Sequence, residues 1–225
     1  MPLKIAVLLY DNFTMLDAVG PFEVLSLLPD ADVFVVAETA GVIYPDNQAL
    51  PFIASYSYHD VTEADLVLVP GGPGSVAMES HQPTLEWLRR VHATSKWTCS
   101  VCTGSLILGA AGLLTGLRAT SHWAVRERLT EFGATPEASR WIEQGRIVTA
   151  AGVSAGIDMA LHLVSLIADA SVAKAIQLGI EYDPQPPFNS GAIEKATPDV
   201  VAAVANGSIA MNREGRARPR LPQLG

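Results

Sequence analysis

The chain has little of what secreted and nucleic-acid-binding domains depend on. It contains 2 cysteines in 225 residues, too few for the disulfide framework of a small secreted protein. Basic residues are also scarce, with 15 Lys and Arg against 23 Asp and Glu and a formal net charge of -8. Phosphate backbones and anionic lipid surfaces repel such a chain. We therefore expect no nucleic-acid partner and no membrane partner.

Long apolar runs are missing as well. No stretch reaches the length of a membrane span without a charge or a helix breaker. No signal-peptide pattern follows the first apolar run, so we expect a cytoplasmic protein. What the sequence does contain is 49% hydrophobic and 17% charged residues, a globular composition. The length suits one α/β domain with a substantial core.

The hydrophobic pattern alternates between two periods along the chain. Apolar β-like runs are followed by stretches with apolar residues at helical spacing. This alternation predicts a single-domain, doubly wound, mainly parallel sheet sandwiched between helices. A broken segment, Val42–Tyr58, predicts a hairpin excursion from that sheet. Strands are predicted at residues 4–10, 32–38, 65–70, 97–101 and 146–149, and helices at 15–28, 84–96, 105–111, 121–132, 154–168 and 171–178.

The composition changes near residue 185. Beyond Pro184 the chain becomes rich in Pro, Gly, Asn and Arg, with four arginines from Arg213 to Arg220. We predict an α/β domain over residues 1–185 and a C-terminal extension over residues 186–225 that is partly disordered.

Three groups follow predicted strands and so meet at one edge of the sheet, where open α/β folds bind ligands. They are Asp17 at the start of the first helix, the Gly71–Gly74 turn, and Cys102. Gly71 and Gly72 would let a backbone amide approach a ligand closely, as an oxyanion donor does. Their convergence predicts a site.

Cys102 has the sequence context of a nucleophile. Ser100–Gly104 places it between small residues where a strand turns into a helix, the pattern of a nucleophile elbow. The helix N-terminus is expected to lower the pKa of its thiol. The alternative is a buried, inert cysteine. Cys99 completes a C-x-x-C motif, so redox chemistry is a further alternative, although Cys99 lies within the predicted strand and is expected to face the core. A zinc site lacks a second pair of ligands.

Asp17 is unusual because its neighbours are apolar. Either it is an acid that interacts with the helix dipole, or its carboxyl faces the thiol with a raised pKa and exchanges a proton. Glu23 is a less favoured second acid. His122 begins a predicted helix after another strand end, and such a histidine is as often structural as functional.

With these residues identified, the chain resembles the ThiJ/PfpI superfamily, which is related to class I glutamine amidotransferases. The resemblance covers roughly residues 3–185 and depends on several motifs in order. It implies a flavodoxin-like fold, and superfamily members are commonly homodimers. The matching segments are Leu16–Glu23, Val69–Gly72, Cys99–Gly104, Ala119–Trp123 and Ala150–Asp158.

Within the superfamily, the chain is most similar to the isonitrile hydratase branch. That branch pairs an aspartate with the cysteine and has threonine next, as Asp17, Cys102 and Thr103 do here. Peptidases of the superfamily have histidine in place of Thr103, and glyoxalase-like members usually have glutamate in place of Asp17. One departure is Ala151, where some relatives carry glycine.

The resemblance implies that water is added to a small isonitrile, R–NC, to give an N-substituted formamide through a cysteine thioimidate, without metal or cofactor. Cys102, Asp17 and Thr103 are then catalytic, and Gly71, Gly72, Gly104 and His122 contact the substrate or a developing oxyanion. Other thiol-dependent hydrolases or lyases, such as amidases and glyoxalases, rank second. Thiol oxidation sensors rank third, and a regulator would need a helix-turn-helix pair that the residues after Tyr182 do not show.

Overall fold

The fold is an α/β sandwich, seen in a computed structural model that describes residues 2–206. Seven strands form one sheet in the order β10-β11-β7-β6-β1-β2-β5 within that range. All neighbouring pairs are parallel except β10 with β11. The strands are β1 Leu3–Leu8, β2 Ala31–Ala37, β3 Gly41–Ile43, β4 Phe52–Ala54, β5 Tyr56–Ser57, β6 Leu66–Val69, β7 Trp97–Val101, β8 Arg118–Ala119, β9 Thr135–Pro136, β10 Trp141–Gln144 and β11 Ile147–Ala150.

The helices cover the sheet in two groups. Helix α5 packs against both α1 and α6, while α2 and α3 both contact α4, which also packs on a 3-10 helix. The predicted mainly parallel, helix-covered fold is therefore confirmed. The helices are α1 Met15–Ser26, α2 Ser75–Met78, α3 Gln82–Thr94, α4 Gly104–Ala110, the 3-10 helix Arg126–Phe132, α5 Ala155–Ile167, α6 Ala170–Gly179 and α7 Pro198–Ala205.

The central strands are apolar on both faces because helices cover both. Every residue of β6 and the last four residues of β1 are buried. This is the pattern that continuous Ile, Val and Leu runs predict for parallel strands. Burial of these side chains supplies most of the hydrophobic driving force for folding, at roughly 25 cal/mol per Å² of apolar surface.

Segment 42–58 forms the predicted hairpin. Strands β3 and β4 pair antiparallel in a separate two-stranded sheet, and β5 then joins the edge of the main sheet beside β2. Phe52 anchors the hairpin through an edge-on contact with Phe13, with ring centroids 5.4 Å apart. The hairpin thereby packs against the loop that leads from β1 into α1.

Some predicted elements differ from the structure. The helix expected over residues 121–132 is a loop followed by a 3-10 helix, and β10 forms an antiparallel edge strand that the pattern did not predict. Edge strands carry a weak hydrophobic signal because one edge is unpaired and exposed. Helix α7 lies inside the extension and buries none of its residues.

The arginine-rich segment, residues 213–220, lies outside the described residues. No helix within residues 2–206 combines the length and apolar character that a membrane crossing would need.

Candidate active site

Cys102 occupies a strained turn between β7 and α4. Its φ of 58° lies in the left-handed region, which costs an L-residue roughly 1–2 kcal/mol. The turn is held by hydrogen bonds from the Cys102 amide to the carbonyl oxygens of Ala150 at 3.1 Å and Ala151 at 3.2 Å. The hydroxyls of Ser105 and Ser121 donate to the Cys102 carbonyl at 3.1 and 3.0 Å. The surroundings therefore fix the backbone in the sharp turn that an elbow requires.

Gly104 is the small residue that this turn needs. A Cβ atom on Gly104 would collide with the backbone carbonyls of Val69 and Pro70 at the end of β6. Its absence lets the start of α4 approach β6 closely and brings Cys102 beside the Gly71–Gly74 turn. Gly104 thus has a packing role at the turn.

Asp17 is fully buried in the first turn of α1. Its Oδ2 accepts a hydrogen bond from the Gly71 amide at 2.9 Å. Its Oδ1 has no partner in a well-formed hydrogen bond among the described residues. The carboxyl and the Cys102 thiol are nevertheless close enough to shift each other's pKa through a side-chain interaction. One oxygen of Asp17 is therefore held by the Gly71 amide, and the carboxyl as a whole interacts with the thiol.

Thr103 joins the elbow to the glycine turn. Its Oγ1 accepts a hydrogen bond from the Gly72 amide at 2.8 Å and donates to the Gly72 carbonyl at 3.3 Å. Gly72 has φ of 130°, a region that only glycine adopts readily. A Cβ on Gly71 would meet the Thr103 backbone and Asp17 Oδ2. The structure therefore brings Asp17, Gly71, Gly72, Cys102 and Thr103 together, as the sequence predicted.

The expected ionisation of the thiol requires a correction. The Cys102 side chain is buried, with 5% of the residue exposed, and its thiol pKa is raised well above the ordinary value. Burial and the negative charge of Asp17 raise this pKa, and they outweigh the lowering by the Thr103 amide and hydroxyl. The prediction of a pKa lowered by the helix N-terminus is wrong for the resting protein.

The same environment affects the acid. Burial raises the pKa of Asp17 to about 8, although the Gly71 amide and the Cys102 thiol both lower it, and the nearby Asp46 carboxylate raises it further. The two acidic groups share a water-poor space where a second negative charge is costly. At neutral pH the pair is mainly a neutral thiol beside a neutral carboxylic acid.

Cys99 is a core residue. It is fully buried in β7, opposite Leu68 and Val148 on the neighbouring strands. Burial alone raises the pKa of its thiol above the ordinary value. The C-x-x-C spacing therefore does not place two thiols at the helix start, and the expectation that Cys99 faces the core is correct.

The two remaining candidates, His122 and Glu23, are not part of the contacts that join Asp17 and Cys102. The ring of His122 packs on Gly152, its Nδ1 accepts a hydrogen bond from the Ala124 amide at 3.3 Å, and burial lowers its pKa. No hydrogen bond within residues 2–206 connects this ring to Cys102 or Asp17. Glu23 is exposed on α1 and cannot replace Asp17 as the buried acid.

Three residues around the acid, Tyr10, Thr14 and Asp46, were not among the predicted site residues. The Tyr10 hydroxyl donates to the Pro70 carbonyl at 2.8 Å, and burial and the charges of Asp17 and Cys102 raise its pKa. The Thr14 hydroxyl donates to Asp46 Oδ2 at 3.2 Å, which holds the hairpin loop against the start of α1. Tyr10, directly after the first buried strand, was detectable as a polar group at the strand end.

Tyr10 also borders an open space. A cavity of about 450 Å³ lies beyond the carboxyl ends of β1 and β2, lined by Tyr10, Tyr58, Met78 and His81 among others. Because parallel strands end at the same edge of a sheet, this cavity and the Asp17–Cys102 pair lie at one edge. Tyr10 lines the cavity and also lies close to the Asp17–Cys102 pair.

The chain is similar to known proteins in both sequence and fold. Residues 3–166 match the DJ-1/PfpI family. The isonitrile hydratase of Pseudomonas putida is 39% identical over 201 residues, covering 89% of this chain and 88% of that protein. The crystal structure of a ThiJ/PfpI family protein from Pseudomonas syringae superposes with a TM-score of 0.88 at 36% identity, covering 93% of this chain and 87% of that one. A glutathione-independent glyoxalase from Caenorhabditis elegans is 25% identical over 103 residues, covering 46% and 55% of the two chains.

Proposed function

Because the chain belongs to the DJ-1/PfpI family, we propose that it is an isonitrile hydratase, which adds water to R–NC and releases an N-substituted formamide. The observation that carries this proposal is a fully buried carboxyl, Asp17, that interacts with the thiol of Cys102. The similarity to the Pseudomonas putida isonitrile hydratase extends over most of both chains and supports the same activity.

The protonation state of the pair suits an uncharged substrate. An isonitrile has a terminal carbon that accepts both a nucleophile and a proton, so its activation needs an acid beside the sulfur. Asp17, with its pKa raised to about 8, retains a proton at neutral pH. A proton donor with a pKa near the working pH also accepts a proton readily in the next step.

In the first step the sulfur of Cys102 forms a bond to the terminal carbon. The Asp17 carboxyl delivers its proton to that carbon and receives the thiol proton, giving the thioimidate R–N=CH–S–Cys. No net charge is created, which is favourable in a site that excludes water. The Gly71 amide holds Oδ2 of Asp17 at 2.9 Å throughout, so the carboxyl keeps its orientation.

In the second step water adds to the same carbon. As the oxygen of the water bonds to carbon, Asp17 delivers its carboxyl proton to the nitrogen and accepts a proton from the water, giving R–NH–CH(OH)–S–Cys. Cleavage of the C–S bond then releases R–NH–CHO and restores the thiol. The Thr103 hydroxyl, held by the Gly72 amide through a 2.8 Å hydrogen bond, is proposed to orient the water or to stabilise the developing oxyanion. The cavity beside Tyr10 offers space for part of the substituent.

A second candidate is another thiol-dependent reaction on the same pair, such as that of a glyoxalase. The similarity to the Caenorhabditis elegans glyoxalase supports it, over about half of each chain. Turnover of methylglyoxal or of simple amides in place of isonitriles would favour this candidate. Rapid peroxide oxidation of Cys102 without any turnover would favour a thiol sensor.

The test combines turnover and intact mass on a simple alkyl isonitrile. Cys102→Ala removes the nucleophile and is expected to abolish formamide production, whereas Cys99→Ala changes the other cysteine and is expected to retain it. Asp17→Asn preserves shape but cannot cycle a proton, so its rate should fall about 10²- to 10⁴-fold. A mass increase equal to one isonitrile, localised to Cys102, identifies the thioimidate. Native turnover by Cys102→Ala would refute the proposal.

We also propose that the protein is a homodimer, as superfamily members commonly are, and that it lies in the cytoplasm. Sedimentation of the purified chain tests the dimer, and fractionation of cells that produce it tests the location.

A further inference from the structure

A second large cavity lies away from the catalytic pair. It has a volume of about 620 Å³ and lies between the edge strand β10, helix α5 and helix α6. Volumes of 300–1,000 Å³ are typical of small-molecule sites. None of the residues that line it belongs to the Asp17–Cys102 site or to the Gly71–Gly74 turn. We call this cavity the α5–α6 cleft.

One wall of the α5–α6 cleft is apolar and includes a large aromatic ring. The apolar lining residues include Trp141 of β10, Leu161 of α5, and Ala170 and Ala173 of α6. The Trp141 ring is only half-buried, and its centroid is 5.6 Å from that of the His162 ring. Such a surface favours a flat, apolar body that can cover the indole.

Two of the three basic side chains in the cleft already have acidic partners. Arg140 pairs with Asp158, and the Tyr182 hydroxyl interacts with both of them. His162 pairs with Glu143, with Nε2 and Oε2 2.9 Å apart. The Asp158 carboxylate is therefore compensated by Arg140 and is not free to select a cationic ligand, and Glu143 lies outside the lining of the cleft.

Lys174 is the exception. Its ammonium group has no ion pair or hydrogen bond with any other residue between positions 2 and 206, and it lies on the exposed side of α6 at the rim of the cleft. A cation of this kind beside an apolar wall is attractive for a ligand that is apolar at one end and anionic at the other. Although the whole chain carries a net charge of -8, the lining of the cleft holds Arg140 and Lys174 against Asp158, and this local excess of positive charge favours an anionic ligand.

We propose that the α5–α6 cleft is a binding site for a small carboxylate with a flat apolar body, which packs on Trp141 and places its carboxylate at Lys174. This site is separate from the proposed isonitrile hydration, and its occupancy does not require that reaction.

The experiment titrates the full chain with 3-phenylpropionate and follows tryptophan fluorescence together with calorimetry. Two probes of the same shape, 3-phenylpropionamide and 3-phenylpropylamine, vary only the head group. We expect saturable binding of the carboxylate, about tenfold weaker binding of the amide, and weaker binding still of the amine. Equal affinity for all three probes, or no saturable binding, would overturn the proposal.

Variants locate the site. Lys174→Gln is expected to weaken carboxylate binding about tenfold, whereas Lys195→Gln, which removes the same charge from an exposed position outside the cleft, should leave it unchanged. Leu161→Trp fills the cleft and should abolish binding even if Lys174→Gln has a small effect. Cys102→Ala should bind normally, because the catalytic pair lies elsewhere. Unaltered binding in both Lys174→Gln and Leu161→Trp would show that the cleft is not the site.

Discussion

At the scale of single residues, the ionisation of Asp17 follows from what surrounds it. The carboxyl lies fully buried, receives only one strong hydrogen bond, and shares its space with Cys102. Removal from water favours its protonated form, and one amide donor does not offset that cost. The arrangement keeps a proton where the proposed reaction uses it.

This burial predicts a pH-dependent stability. The pKa of Asp17 rises from 3.8 to about 8 on folding, so between these values the folded chain binds more protons than the unfolded chain. Its contribution to stability is therefore fully present below about pH 4 and is lost as the pH rises towards 8. Asp17→Asn removes the titrating carboxyl, so the variant does not lose this stability as the pH rises. Thermal melts from pH 4 to pH 9 should show the variant gaining stability relative to the parent as the pH rises, and a constant difference would contradict this.

Thr103 permits a second test at the same scale. Thr103→Val keeps the shape but removes the oxygen that accepts the Gly72 amide at 2.8 Å, which leaves a buried donor unsatisfied. We expect a loss of about 1–3 kcal/mol in the free energy of unfolding and a fall of about 10²-fold or more in kcat on an alkyl isonitrile. Thr103→Ser retains the hydroxyl and should retain most of both. If Thr103→Val is as active as the parent, the hydroxyl has no part in catalysis.

At the scale of elements, glycines set how closely the helices approach the catalytic turn. A Cβ on Gly156 of α5 would lie 2.9 Å from Pro21 of α1 and 3.0 Å from Val101 at the end of β7. A Cβ on Gly20 of α1 would likewise lie 2.9 Å from Cγ1 of Ile157. Helices α1 and α5 therefore meet through small residues, and α5 also contacts the strand that ends at Cys102.

Gly156→Ala tests this packing. Alanine is the better helix former by about 1 kcal/mol, but the added methyl would force Pro21 or Val101 to move. We expect a net loss of about 1–3 kcal/mol in stability and reduced isonitrile turnover, because Val101 precedes Cys102. Gly179→Ala, in α6 with no heavy atom within 4 Å of the added Cβ, is the matched control and should be neutral or slightly stabilising. A stabilising Gly156→Ala would show that α5 is free to shift.

At the scale of the whole molecule, the question is whether the last described helix belongs to the domain. Helix α7 has no buried residue, so its packing adds little to the stability of the sheet and its helices. We propose that residues 1–185 form the complete folding unit. A chain ending at Gln185 should unfold within a few degrees of the full-length protein and retain isonitrile turnover. A truncated chain that aggregates or loses its cooperative melt would place residues 186–225 within the domain.

Much of the fold was predictable because parallel strands leave a strong local signal. Buried runs such as Ile5–Leu8 and Leu66–Val69 are apolar throughout, and the helices between them have regular apolar spacing. Strand β10 and the 3-10 helix Arg126–Phe132 were not predicted, since an exposed edge and a single irregular turn carry little periodicity.

The sequence alone determined which residues meet. Asp17, the Gly71–Gly72 turn and the Cys102–Gly104 elbow each follow a buried strand, and parallel connectivity brings strand ends to one edge. Only the tertiary structure decided their charge. The thiol pKa is raised instead of lowered, and the Asp46 carboxylate raises the pKa of the acid from the hairpin segment. The reason is physical: connectivity is encoded locally along the chain, whereas desolvation and electrostatic coupling depend on every group that folding packs around a charge.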